Sequence, residues 1–336
     1  MRVQSRAAGR WSFALGASLA AAAFAVSACG SSSSGGSSSS SGSSSSSAKG
    51  KNMTLIAGVK GDEFYITMNC GAQAEAKKLG VSLNFQGPDQ FDPSLQTPIV
   101  NAVAAKKPDA VLIAPTDSKA MFAPINQLAQ SGSKIVLVDT TLDQADVAAS
   151  QIASDNLGGG RAAADALAKL IGGKGKVFVN NVKPGISTTD LRTKGFQERA
   201  KQLGLTFVGV DYNNDQPDKA AALIKAQLAK NPDLKGIFAT NLFGAEGSAS
   251  GLREAGKSGV KIVGFDAGPK QVKDLKDGVV QGLIAQKPAQ IGAAGVQQAF
   301  NALNGKPVQK KIGTGFVALT KDNLAQNQQF VYKSSC

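Results

Sequence analysis

The stretch "KIVLVDTTL", residues 134–142, runs apolar from Ile135 to Val138 and then stops at Asp139. Four consecutive apolar residues of this kind read as a strand buried on both faces. A carboxylate at the end of such a strand is costly unless something meets it, so the question is what Asp139, Thr140 and Thr141 face. Residues 261–266, "KIVGFD", repeat the strand and its terminal acid 127 residues later.

Two more pairs keep the same order. "AKKLGVSLNF" from 76 is echoed by "AKQLGLTFVG" from 200, and "KKPDAVLIAP" from 106 by "KNPDLKGIFAT" from 230, both at an offset of 124. Three matches at nearly constant spacing indicate a duplicated unit. Within each copy, apolar runs ("MTLIAGV", "VSLNF", "AVLIA", "KIVLV"; then "KVFVNN", "LTFVGV") alternate with helical patterns such as "FYITMNCGAQAEAKKLG" and "STTDLRTKGFQERAKQLG". That alternation predicts an α/β fold of two similar doubly wound parallel-sheet lobes. Asp117 and Ser118 suit a helix N-cap, and Gly80 and Gly204 suit left-handed helix ends. "GGKGKV" from 172 lacks the spacing of a phosphate loop and reads as a turn.

Outside the repeat, Arg2, Arg6 and Arg10 precede the apolar "WSFALGASLAAAAFAV" and then "VSAC", in the order of a secretory signal. "VSAC" resembles the lipobox of bacterial lipoproteins, which implies a signal over 1–28 and lipidation of Cys29. Residues 31–47 are 14 Ser and 3 Gly, so 29–50 reads as a lipidated cysteine and a flexible tether holding a soluble domain at a membrane surface. Without the signal arginines the net charge falls from +13 to +10. The lysines are scattered and not interleaved with aromatics, so a solvated surface is expected and nucleic acid is not. The chain has no histidine, which removes His-based triads, His general bases and the usual zinc sites. Cys70 and Cys336 remain; outside the cytoplasm such a pair can form a disulfide, but sequence carries no Cα separation to decide it.

In open parallel sheets, ligands bind beyond the carboxyl ends of the strands. The residues there are Asp62, Phe64 and Tyr65; Asp139 and Thr140; Asn241; Phe265 and Asp266; and Gln286, with Arg192 on the helix after "KVFVNN". Carboxylates accept from vicinal hydroxyls, Arg and amides donate in return, and aromatic faces cover the C–H face of a sugar. The set suits a small neutral sugar or polyol. Asp139 and Asp266 also suit helix caps, Phe64 the core and Arg192 a helix surface, though equivalent acids in both copies weigh against coincidence.

"VLIAPTDS", "QIASDNLGGGRAAADAL", "KIVGFDAGP" and "GLIAQKPAQIGAAGV" together resemble blocks of the periplasmic sugar-binding proteins of ABC transporters, of the ribose-binding type. The resemblance covers 52–320. It implies two lobes joined by a three-segment hinge, 51–153 plus 287–315 and 154–286 plus 316–336, closing on a monosaccharide that is passed to a membrane permease. It implies ring stacking by Phe64 and Tyr65 and hydroxyl hydrogen bonds from Asp139, Arg192, Asn241, Asp266 and Gln286. It also implies an extracytoplasmic monomer anchored to the cell membrane, without cofactor or metal.

Three departures count against ribose itself. Ala114 stands where ribose binders carry Asn, Thr140 stands where they carry Arg, and a polar residue near Asp215 or Gln216 replaces a stacking Phe. Another sugar or a sugar alcohol is therefore expected. An alternative reading is a lipoprotein that presents a bound sugar to a membrane sensor. A lactose-repressor-type regulator shares this fold but needs an N-terminal helix-turn-helix, where this chain has a signal and a Ser tether. No enzyme is expected, because no nucleophile is paired with a base and the two strand-end acids belong to different lobes.

Overall fold

The structure is a computed structural model that describes residues 48–336; the expected signal, Cys29 and nearly all of the tether lie outside these residues. In chain order the elements are β1 (Asn52–Ile56), α1 (Glu63–Leu79), β2 (Ser82–Gln86), α2 (Pro93–Ala105), β3 (Ala110–Ile113), α3 (Phe122–Gln130), β4 (Lys134–Val138) and β5 (Ser150–Ser154). The second copy follows as α4 (Asn156–Leu170), β6 (Lys176–Asn181), α5 (Ser187–Gln202), β7 (Thr206–Tyr212), α6 (Pro217–Lys230), β8 (Leu234–Ala239), α7 (Leu242–Glu254), β9 (Lys261–Phe265), α8 (Pro269–Lys276) and β10 (Gly282–Ala285). Then come α9 (Pro288–Leu303), β11 (Lys311–Thr314), β12 (Val317–Leu319) and a 3-10 helical segment, Leu324–Phe330.

Two six-stranded sheets result, in the orders β11-β5-β4-β3-β1-β2 and β12-β10-β9-β8-β6-β7. All pairings are parallel except β12 with β10, which is antiparallel. Three residues long and at a sheet edge, β12 is the one departure from the all-parallel expectation. The chain passes between the sheets three times, after β5, after β10 and after β11.

The four-residue apolar runs behave as their composition requires. Ile135–Val138 of β4 and Ile262–Phe265 of β9 are buried, because helices cover both faces of each sheet. Gly80 ends α1 with φ 69°, and Gly204 has φ 73° just beyond α5. Asp117 accepts from the backbone N–H of Lys119 and Ala120, but α3 starts only at Phe122, so this cap turns the loop and not the first turn of the helix. The packed fold also begins before the expected end of the tether. Ala48 is buried and donates its N–H to Asn304, and Gly50 donates to Gly80 O.

Two helix pairs approach so closely that only glycine fits between them. A Cβ at Gly71 or Gly292 would lie 2.1 or 2.0 Å from a carbonyl oxygen across the α1/α9 contact. At Gly160 and Gly195, between α4 and α5, the corresponding distances are 2.1 Å each, and the atom facing Gly160 is the carbonyl of Arg192. These contacts fix the two helices, α1 and α5, that carry Phe64, Tyr65 and Arg192.

Candidate binding site

Asp62 caps α1, its Oδ1 accepting the Phe64 N–H at 2.7 Å. Phe64 and Tyr65 therefore occupy the first helical turn, where side chains lean back toward the helix start and so toward the carboxyl edge of the first sheet. Asn241 does the same for α7, accepting from Gly244 N at 3.1 Å while its amide donates to Asp215 Oδ1 at 2.5 Å. Asp139 and Asp266 end β4 and β9 in the left-handed region, with φ 63° and 78°. This conformation is strained for a non-glycine residue. It is held in each case by the acid's own N–H, which donates to Ile152 O and to Ile284 O respectively.

These groups converge on one cavity between the lobes. It is lined by Phe64, Tyr65, Asp139, Arg192, Asn241, Asp266 and Gln286, together with Asp62, Asp215, Phe91, Thr188, Thr189, Val182 and Ile186. The non-atom space there is about 400 Å³, part of it open to solvent. At its mouth the lobes touch. Lys183 Nζ donates to Phe91 O at 2.8 Å, Thr141 N to Ser187 Oγ at 2.9 Å and Ser118 N to Gly185 O at 3.0 Å.

Thr140 is not brought to this cavity: its buried hydroxyl donates to Pro115 O at 2.7 Å. Phe265 also stays behind the wall, fully buried, with the Arg192 guanidinium 3.8 Å above its ring. Ala114 is buried as well, and its carbonyl accepts from Gln96. The structure joins Cys70 and Cys336 in a disulfide, with Cα atoms 5.3 Å apart.

Inside the cavity the polar groups are partly paired. Tyr65 Oη donates to Asp139 Oδ2 at 2.7 Å, so this ring presents an engaged hydroxyl as well as a face. Gln286 Nε2 donates to Asp266 Oδ1 at 2.7 Å. Arg192 is held by Asn156 Oδ1 and Thr240 O, both at 2.8 Å. Asp139 Oδ1, Gln286 Oε1 and Thr189 Oγ1 are buried and have no hydrogen-bond partner among protein groups.

Four carboxyl groups share this space with a single guanidinium, and burial shifts all of them. Burial pushes Asp139 up to about 6, with Arg192 and the Tyr65 hydroxyl opposing. Asp215 also rises to about 6, from burial, against the hydrogen bond from Asn241. Burial raises Asp62 well above the usual carboxylate range, with Asp266 and Asp215 adding to it. Asp266 is raised by burial and held back by Arg192, Gln286 and Tyr332.

Sequence reasoning placed Asp62 at the strand edge without giving it a ligand role, and did not select Asp215, Phe91, Thr188 or Thr189 for the cavity or Tyr332 behind its wall. Asp62 already stood beyond the first strand and Asp215 at the lost stacking position, so both carried a usable signal. Phe91 and Tyr332 sit in irregular segments without periodicity, and nothing local marks them.

A family model described as a periplasmic binding protein domain matches residues 53–307. The ribose import binding protein RbsB of Salmonella typhimurium is 33% identical over 259 residues, covering 77% of this chain and 87% of that protein. The D-allose-binding periplasmic protein of Escherichia coli is 27% identical, covering 71% and 80%. Among solved structures, an ABC transporter solute-binding protein from Agrobacterium vitis bound with α-D-tagatopyranose superposes with TM-score 0.82 at 44% identity, covering 84% of this chain and 99% of that one. A carbohydrate transporter solute-binding protein from Agrobacterium radiobacter in complex with D-arabinose gives 0.80 at 29% identity, covering 84% and 99%. These are binding proteins of transporters, and the matched residues, 53–307, take in strands of both lobes. This chain accordingly belongs to the type 1 periplasmic sugar-binding proteins of ABC transporters, extracytoplasmic proteins that hold a ligand without transforming it.

Proposed function

We propose that this protein captures a neutral monosaccharide or sugar alcohol by closing its lobes and delivers it to the permease of an ABC importer, while a lipid on Cys29 and the Ser/Gly tether keep it at the membrane. The observation that carries the ligand class is the set of buried, unpartnered acceptors Asp139 Oδ1 and Gln286 Oε1 with the Thr189 hydroxyl. A buried polar atom without a partner costs about 1–3 kcal/mol, and a ligand hydroxyl removes that cost at each point. Phe64, Tyr65 and Phe91 supply apolar surface for the C–H faces of a ring or chain.

Ribose does not head the list, because neither Ala114 nor Thr140 offers a donor to the cavity. The Agrobacterium vitis neighbour holds a ketohexose, which puts D-tagatose first, ahead of D-arabinose, D-allose, D-ribose and the hexitols. Thermal-shift measurements with this panel test the reading. One sugar or polyol should raise the melting temperature by mass action. Stabilisation by an amino acid or nucleoside with none by any polyhydroxylated compound would refute it.

A further inference from the structure

The C-terminal segment leaves the second sheet at β12 and returns to the first lobe. Lys333 N donates to Thr67 Oγ1 at 2.7 Å, and Cys336 is bonded to Cys70, both partners lying on α1. Between these anchors and the 3-10 segment, Tyr332 is buried at 3% exposure. Its N–H donates to Ala267 O at 2.9 Å. Its hydroxyl donates to Asp266 Oδ1 at 3.0 Å and accepts the Gln286 N–H at 3.0 Å. Its ring meets Phe64 edge-on at 5.9 Å. Tyr332 lines a second cavity, beside Lys287, Pro288 and Phe330, and not the one between the acids.

We infer that the C-terminal segment is a disulfide-anchored strap across the hinge, and that Tyr332 is a positioning residue that fixes Asp266 and Gln286 for ligand from behind the cavity wall. The inference rests on the sugar-binding reading for what Asp266 and Gln286 contact. Both side-chain donors to Asp266, from Gln286 and Tyr332, fall on Oδ1, so the carboxylate plane is set by two bonds at one oxygen. The Gln286 backbone lies at the crossing into α9, and its N–H has the Tyr332 hydroxyl as acceptor. A hydroxyl that accepts from one ligand-facing residue and donates to the other couples their positions. The disulfide keeps this hydroxyl in register with α1, which carries Phe64 and Tyr65.

Tyr332→Phe tests the inference because it keeps the ring against Phe64 and removes both hydroxyl bonds. In the protein without sugar, the Gln286 amide should exchange with solvent about tenfold faster, with amides of β1 and β3 unchanged. Unchanged Gln286 exchange overturns the inference. With D-tagatose as probe, affinity should fall about tenfold. The acid limb of its pH profile should also move to higher pH, because the Tyr332 hydroxyl holds the Asp266 carboxyl down. Arg192, Asp62, Asp139 and Asp215, the other charged groups facing Asp266, are the same in both proteins. An equal affinity loss at every pH overturns positioning in favour of general damage. If D-tagatose binds neither protein, the ligand reading fails for that sugar, and the exchange experiment still decides the strap. A Cys70→Ser, Cys336→Ser double variant should raise Gln286 exchange in the same direction and by less; wild-type exchange there overturns the anchoring role of the disulfide.

Discussion

Asp139 and Asp266 end equivalent strands with the same left-handed backbone and the same N–H bond to the neighbouring strand, yet their carboxylates are treated differently. Asp139 takes one donor, the Tyr65 hydroxyl, and keeps Oδ1 buried and unpaired. Asp266 takes two, Gln286 and Tyr332, and is tied to the C-terminal strap. Duplication thus reproduced the backbone that aims an acid into the cleft, while the side chains around it diverged. One acid keeps a carboxylate oxygen unpaired, and the other is clamped by two side-chain donors.

The largest effect should come from the group both acids share. Arg192 opposes the raised pKa of each, stacks on Phe265 and bonds to Asn156 and Thr240. Arg192→Ala should cost about 4 kcal/mol at pH 7.5 by urea unfolding, as removal of one partner from a buried charge cluster does. Without the guanidinium both acids hold their protons to higher pH, so the deficit should shrink at pH 5. An equal deficit at both pH values would mean that the loss is packing alone, and that the two acids do not depend on Arg192.

Neutralising each acid in turn separates the two roles. Asp139 titrates near 6 in the folded protein and at the ordinary 3.8 when unfolded. The native state therefore binds the extra proton, and this acid lowers stability as pH rises from about 4 to about 6. Asp139→Asn keeps an oxygen for Tyr65 and removes the buried charge. The unliganded variant should be more stable by about 2 kcal/mol at pH 7.5, with sugar affinity reduced a hundredfold or more, read by thermal melts and calorimetry. Asp266 is also raised, so Asp266→Asn should lose affinity and likewise gain stability without ligand at pH 7.5, but by less than Asp139→Asn, because Gln286 and Tyr332 lose a charged acceptor. A gain at Asp266 as large as the gain at Asp139 would erase the asymmetry.

How much of this could be read from the chain follows the same division. The strands with continuous apolar runs and the acids at their ends were legible because burial on both faces writes itself into consecutive residues. β5, β11 and β12 were not. "SQIAS" and "KIGT" mix polar with apolar residues, and β12 is only three residues long. Seven ligand candidates line the cavity because each sits at a fixed offset from a strand or a helix start. Phe91 reaches the cavity, and Tyr332 the back of its wall, from irregular segments, and their positions depend on contacts distant in sequence: Asp266 lies 66 residues from Tyr332, and Lys183 lies 92 from Phe91.

Thr140 gives the smallest and sharpest test of where the first lobe's site ends. It follows Asp139 directly, but the left-handed turn at Asp139 sends its side chain back to Pro115 O, tying the end of β4 to the loop after β3. Thr140→Val removes that bond and leaves the methyl groups packed, so it should cost about 1 kcal/mol of stability. The affinity and rate of sugar binding should match the wild type within twofold. A tenfold loss of affinity in Thr140→Val at unchanged stability would put the hydroxyl in the site. The first lobe would then recognise ligand through two consecutive residues, and the contrast with the clamped acid of the second lobe would rest on more than Asp139.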